Sequence, residues 1–286
     1  MNRWKKPLRL LGVAAAILVA GAVLLGVING LVADGAWTFG WSEYSYDDEL
    51  YQMGDGSIPT KTLTAISLDW IDGTVTLVAC QDAYVSVTEQ TEGGLTDAAR
   101  MRWYVDEAGV LSIKYRASSF FLSGKDKNLV LRIPEQFLEG LRVELSTDSS
   151  NVILDDLHGC DVTVRSQTGG LALLSTSTLR NLTVETKTGK LLINGGVTEH
   201  LTLSTQKGSI QGTFTCMPAQ SNLFSGKGDV VLTLPREASF SLGFASEDGE
   251  FTCAFETRQQ DGRWICGTGA ALLDVKTEKG NLSISK

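Results

Sequence analysis

Val184-Glu185-Thr186-Lys187-Thr188-Gly189-Lys190-Leu191-Leu192-Ile193 holds the unit from which most of the chain is built: a glycine, an apolar residue five positions before it, and others two and four after it. The offsets recur around Gly169 (Val164, Leu171, Leu173), Gly208 (Leu203, Ile210), Gly228 (Leu223, Val230, Leu232), Gly249 (Phe244, Phe251, Cys253) and Gly280 (Val275, Leu282, Ile284). Ser150 occupies the glycine slot among Leu145, Val152 and Leu154. These centres stand 19, 20, 19, 20, 21 and 31 residues apart. A fixed period of about 20 marks a solenoid, because one such unit cannot bury its apolar face until its neighbours stack on it. The fold class expected is all-β: a single-stranded parallel β-helix of about 20 residues per coil.

Strand geometry accounts for the offsets. Side chains alternate across a strand, so positions two and four after the glycine face the same way while the residue between them faces water. Glycine reaches positive φ without steric cost and is read as the corner between two strands. Three residues before each corner stands a hydroxyl, at Thr147, Ser166, Thr186, Thr205, Ser225, Ser246 and Thr277. Stacking puts these in a ladder, able to bond one another or the bend's backbone. The six intervals from Ser150 to Gly280 imply a stack of roughly 29 Å at about 4.8 Å per coil.

Outward from the repeat, the amino-terminal part sets the expected location. Arg3, Lys5, Lys6 and Arg9 precede an apolar run over residues 10–28, and no acidic residue occurs before Asp34. Nineteen such residues at about 1.5 Å each cross a hydrocarbon core of about 30 Å. A cleaved secretory signal has a shorter apolar core and a small-x-small site, and Ala33-Asp34-Gly35 is a poor one. Residues 1–9 are therefore expected in the cytoplasm and 10–32 as a single membrane helix, by the positive-inside rule. Residues 33–59 read as a juxtamembrane linker, aromatic at Trp37, Phe39, Trp41, Tyr44 and Tyr46 and then acidic. Residues 60–286 read as an extracytoplasmic solenoid domain.

With 43% hydrophobic and 20% charged residues, the outer part has the material for a core rather than a disordered stalk. All 33 acids but only 21 of the 25 bases follow the apolar run, leaving about −12 outside. That balance excludes nucleic acid as a direct partner, and gives anionic lipid or wall polymer no bulk attraction.

Between the linker and the regular repeat, Gly73 keeps the offsets with Leu68, Val75 and Leu77, so a first coil is expected there. The period then breaks. Residues 84–88, 102–105 and 111–115 alternate as strands, with Asp106-Glu107-Ala108-Gly109 as a turn, and an antiparallel insertion is the simplest reading. Gly109 also fits the repeat offsets through Tyr104, Leu111 and Ile113, which leaves an extra coil open. Strand alternation resumes at 128–133 and ends at Pro134; only 135–140 looks helical.

The order of membrane helix, Ile66-Ser67-Leu68-Asp69-Trp70-Ile71-Asp72-Gly73-Thr74-Val75, strand insertion, Leu129-Val130-Leu131-Arg132-Ile133-Pro134 and Thr/Ser-x-x-Gly coils resembles the bacterial putative adhesin family of domains of unknown function. The resemblance covers roughly residues 60–286. It implies a β-helix at the cell envelope, often in Gram-positive bacteria and sometimes beside sensors of envelope stress, and it brings no catalytic residues. Departures are Ser150 in a glycine slot, Gly212 where an apolar residue is expected, and the step of 31.

The chemistry-bearing residues are sparse. His158 and His200 lie in inter-coil connections apart from any shared motif, and surface roles are expected for both. Asp155, Asp156 and Asp161 suit a hard cation by type but lack a glycine-and-acid binding repeat, so solvated charge is the better reading. Cys80, Cys160, Cys216, Cys253 and Cys266 are odd in number without a CxxC, and are expected to be mostly buried free thiols. Neither cofactor nor metal is expected. The place where the repeat breaks, 254–271, reads as a hairpin turning at Asp261-Gly262 and capping the stack; within it Arg258, Arg263 and Trp264 form the candidate ligand-binding group. The expected function is a membrane-anchored binding module, an adhesin or envelope-sensing scaffold. Its partners would be cell-wall or surface glycan or another envelope protein; the alternative is a wall polysaccharide lyase or hydrolase on a β-helix.

Overall fold

The structure, a computed structural model, describes residues 49–58, 62–91, 95, 97–115, 127–174 and 176–286. The expected cytoplasmic segment, the membrane helix over 10–32 and most of the linker lie outside these residues. Among the described residues no helix is long and apolar enough to cross a membrane.

The strands in chain order are β1 (Gln52–Met53), β2 (Gly56–Ile58), β3 (Ala65–Trp70), β4 (Thr74–Cys80), β5 (Val85–Gln90), β6 (Arg102–Val105), β7 (Val110–Lys114) and β8 (Asn128–Pro134). Then come β9 (Arg142–Thr147), β10 (Asn151–Asp155), β11 (Asp161–Thr168), β12 (Leu171–Leu173), β13 (Thr178–Thr188), β14 (Leu191–Lys207), β15 (Ile210–Phe214) and β16 (Gln220–Lys227). The remainder are β17 (Val230–Thr233), β18 (Phe240–Asp248), β19 (Phe251–Cys253), β20 (Arg258–Gln260), β21 (Arg263–Cys266), β22 (Ala271–Lys279) and β23 (Leu282–Ser285). Helical structure among the described residues is two single 3₁₀ turns, Asp97–Ala99 and Glu135–Phe137.

Two parallel ladders run through the domain. In the first, β7, β3, β9, β11, β13, the second half of β14, β16, β22 and β18 are successive neighbours. The second runs β8, β4, β10, β12, the first half of β14, β15, β17, β23 and β19. Each coil gives one strand to each ladder, and nine coils at about 4.8 Å make a stack of about 38 Å. The repeat offsets form straight columns, such as Leu145–Val164–Val184–Leu203–Leu223–Val275–Phe244 and Val152–Leu171–Leu191–Ile210–Val230–Leu282–Phe251. They meet in one hydrophobic cluster, where burying each such side chain contributes about 1.5 to 3 kcal/mol. Gly212 leaves a gap in its column that the buried Phe214 ring fills, since a Cβ on Gly212 would lie 2.5 Å from that ring.

The corner glycines are needed for two reasons, of which only one was expected: Gly73, Gly169 and Gly228 have positive φ, at 85°, 121° and 150°. Gly189, Gly208, Gly249 and Gly280 do not have positive φ. Instead each coil's corner backbone rides on the next. An added Cβ would lie 1.9 Å from the Gly169 oxygen at Gly189 and 1.9 Å from the Gly189 oxygen at Gly208. At Gly280 it would lie 2.2 Å from the Gly228 oxygen, and at Gly249 2.0 Å from the Gly280 oxygen. The hydroxyl ladder bonds the same carbonyls: Thr205 Oγ1 donates to Gly189 O at 3.1 Å and Ser225 Oγ to Gly208 O at 3.0 Å. Ser150 is fully buried in the glycine slot, and nothing in the structure explains its replacing glycine there.

Sequence order and spatial order part at both ends. The coil of β22 and β23, latest in sequence, sits between that of β16 and β17 and that of β18 and β19. This accounts for the step of 31 residues: the chain builds the outermost coil first and then returns inside it. At the other end β7 and β8 form the outermost coil, beyond β3 and β4. The extra coil and the antiparallel insertion are thus both present, but Gly109 turns the β6–β7 hairpin, with φ of 79°, and is no coil corner.

Antiparallel strands cover three of the four ladder ends. β6 and then β1 extend beyond β7; β5 and then β2 extend beyond β8; β21 and then β20 extend beyond β18. Residues 52–58, read as linker from their acids and glycines, are therefore edge strands. Edge pairing needs backbone more than apolar pattern, and Ile58 is the only apolar side chain buried there. The fourth end, β19, is three residues long, with Glu250 just before it and Glu256 three residues after it, a short edge near acids that resists further pairing.

A buried cation pins the β5 cap to the stack. Lys127 is 3% exposed; its Nζ donates to Ala99 O at 2.7 Å and lies 2.5 Å from Glu89 Oε1 and 4.1 Å from the Tyr115 ring centre. Burial pulls its ammonium below the usual lysine range, and Glu89 opposes this. Lys127→Met is expected to cost about 3 to 5 kcal/mol in urea unfolding by stranding Glu89, with Glu89→Gln added in the same chain restoring part of it. A loss under about 1 kcal/mol would show the pair to be dispensable.

Candidate binding groove

The outward face of the first ladder carries two rows of side chains across four coils. One is Thr202–Asn222–Asp274–Gly243 and the other Ser204–Phe224–Lys276–Ala245. Gly243 and Ala245 lower the floor on the outermost coil. Beside them the β20–β21 hairpin raises a wall at Gly262 and Arg263, and the space enclosed is about 480 Å³.

Arg263 is held rigidly. Its Nε donates to Ser241 Oγ at 2.8 Å, one terminal nitrogen donates to Ser241 O at 2.8 Å, and the other lies 2.7 Å from Asp274 Oδ1. It crosses Gly243, where a Cβ would come within 2.9 Å of it. The half-buried Phe224 ring lies between Ser204 and Lys276 in register, with exposed Asn222 two residues away on the same strand. An aromatic surface flanked by the hydroxyls of Thr202 and Ser204, the Asn222 amide and the Lys276 ammonium suits a ligand with both C–H faces and hydrogen-bonding groups.

Arg258, Arg263 and Trp264 do not converge. Trp264 pairs with Leu242 and packs on Phe251 with ring centres 5.4 Å apart, closing the core. Arg258 is exposed and donates to Gly267 O at 3.3 Å; only Arg263 lines the groove. Alternation along β21 puts neighbours 263 and 264 on opposite faces. Sequence reading missed Phe224, whose signal was two consecutive apolar residues, Leu223-Phe224, where alternation needs one.

The other sequence candidates are dispersed. Asp161 binds Arg180 and Asn181, and the Arg180 guanidinium holds its carboxyl below the usual carboxylate range. Asp155 accepts from Thr176 and Asp156 lies 3.2 Å from His158 Nε2, so the three acids serve separate contacts. His200 is exposed. All five cysteines are free; Cys160 and Cys266 are buried, and burial pushes the Cys160 thiol up to about 12. Cys253 stands in a core column beside Ile284.

A family model, Toastrack DUF4097, matches residues 63–285. The chain belongs to the Toastrack DUF4097 family. Similar solved structures include a putative cell adhesion protein from Clostridium sporogenes ATCC 15579, at 12% identity and TM-score 0.41 over 82% of this chain and 99% of that one. A putative adhesin from Bacteroides fragilis NCTC 9343 has 14% identity and TM-score 0.43 over 82% and 97%. A putative lipid binding protein from Parabacteroides distasonis ATCC 8503 has 11% identity and TM-score 0.37 over the same shares, 82% and 97%. No curated protein matches the chain. This Toastrack domain is all-β and solenoid-like, and its groove is built on the coils of the repeat.

Proposed function

We propose that this protein is a membrane-anchored, extracytoplasmic binding module of the cell envelope, adhesive rather than enzymatic, and that the groove around Phe224 contacts a saccharide. The observation that carries the reading is the groove's composition: an aromatic ring with Asn222, Thr202 and Ser204 on rigid strands, its carboxylate Asp274 tied to Arg263. A lyase or hydrolase needs a free acid and base at the bond it cleaves, and neither histidine lines this groove. The basic segment before residues 10–28 and the acidic excess after it support an anchor with the domain outside.

Intact protoplasts carrying the full chain are expected to retain added peptidoglycan glycan strands. Phe224→Ala with Asn222→Ala should weaken retention about tenfold, or about 1.4 kcal/mol, with little change in melting because both face outward. Retention indifferent to these changes would reject the groove, and retention that survives external protease would reject the orientation.

A further inference from the structure

We propose that the corners at Gly189, Gly208, Gly228 and Gly280 form a second binding edge, independent of the groove, that takes a linear phosphodiester polymer of the cell wall. Lys207, Lys227 and Lys279 each precede a corner glycine and stand in direct register on adjacent coils. Lys187 and Lys190 flank the corner at Gly189, the next coil along. All five are exposed, and among the described residues no ion pair or hydrogen bond engages their ammonium groups.

The row exists only because of the out-of-order coil. In sequence order the residues before the corner glycines run Lys207, Lys227, Asp248, Lys279. In space β22 lies between β16 and β18, so the order becomes Lys207, Lys227, Lys279, Asp248. Like charges in cross-strand register repel, and this fold gathers them with no acid between them in the row. Glu247, Asp248 and Glu250 then end it at the outermost corner.

Lys207, Lys227 and Lys279 at about 4.8 Å spacing make a cationic line about 10 Å long, continued by Lys187 and Lys190 on either side of Thr188 and Gly189. Asp229, which accepts from Asn281 N, and Glu278 lie beside it. A line on an otherwise acidic domain fits a thread of anions better than a flat anionic membrane, which the rest of the surface would repel. The row holds lysine and no arginine. Lysine is a point charge suited to the round phosphate group, whereas planar carboxylates favour the arginine fork. The location of that polymer rests on the extracytoplasmic reading above; its chemistry does not.

The test uses the full chain in neutral detergent over immobilised poly(glycerol phosphate). Binding is expected, and it should fade as ionic strength rises from about 0.01 M to about 1 M, where the Debye length shrinks from about 30 to about 3 Å. Changing Lys207, Lys227 and Lys279 together to Gln should weaken binding at least about tenfold without lowering the melting temperature, while Phe224→Ala leaves it unchanged. Asp248→Lys, which adds a rung, should tighten it. Equal binding by parent and triple variant, or no gain from Asp248→Lys, would overturn the proposal. So would polygalacturonate binding as tightly as the phosphate polymer, or binding to phosphatidylglycerol vesicles without binding to the polymer.

Discussion

Gly189→Val is expected to abolish cooperative unfolding of the domain, or to lower its stability by about 4 kcal/mol or more. A Cβ at this corner would lie 1.9 Å from the Gly169 oxygen and 2.6 Å from its carbonyl carbon, both backbone atoms of a coil pinned on either side. No rotamer relieves that, because the clash begins at the first side-chain atom. Moving the Gly169 corner away would break the hydrogen bond of Gly169 N to Thr188 O, at 2.9 Å. Gly189→Ala should be nearly as harmful, and this separates close approach from backbone strain. At a corner governed by positive φ, alanine would be strained only mildly and valine far more. Thermal melts followed by circular dichroism give the answer. An alanine variant melting like the parent would mean the coils do not ride on one another as described.

Deleting residues 271–286 should be comparably severe, although it takes only one coil of nine. Those residues bury Leu273, Val275, Leu282 and Ile284, each at 2% exposure or less, worth about 6 to 12 kcal/mol at about 1.5 to 3 each. That approaches the whole net stability of an ordinary domain, about 5 to 15 kcal/mol. The coil is also interior. Its loss leaves β16 and β18 facing an empty slot, with the outermost coil and its β20–β21 cap held by nothing in either ladder. Aggregation or protease sensitivity reaching into residues 220–253 is expected. A soluble fragment melting cooperatively within about 5 °C of the parent would contradict the intercalated order.

How much of this could be read from residues follows from the range of each signal. The apolar columns were legible because each depends on offsets within one coil, as with Val184, Leu191 and Ile193 about Gly189. The hairpin at Asp261-Gly262 was legible for the same reason, and it pairs Gln260 with Arg263 as its turn dictates. Coil order was not. Swapping two coils with equivalent apolar offsets leaves every local pattern intact, so nothing near Gly280 says that its neighbours are Gly228 and Gly249. Phe224, Lys276 and Asp274 meet across coils whose adjacency depends on that order, and the groove was hidden with it. Edge strands such as β1 were missed because a strand bonded on one side has little face to bury.

The intercalated coil also bears on how the chain assembles and how it resists being pulled apart. A solenoid stacked in sequence order can be completed rung by rung as it emerges. Here residues 240–253 emerge before the rung that will separate them from β16, and until 271–285 arrive their only strand partner among the described residues is the antiparallel β21, opposite 240–242. We expect them to stay protease-sensitive in nascent chains ending near residue 268 and to become resistant at 286. Protection already present at 268 would contradict this. Tension applied at Lys286 would likewise meet a strand, β23, held on both sides by β17 and by β19, so the load is shared by two strand pairings and the end cannot unzip as a single edge.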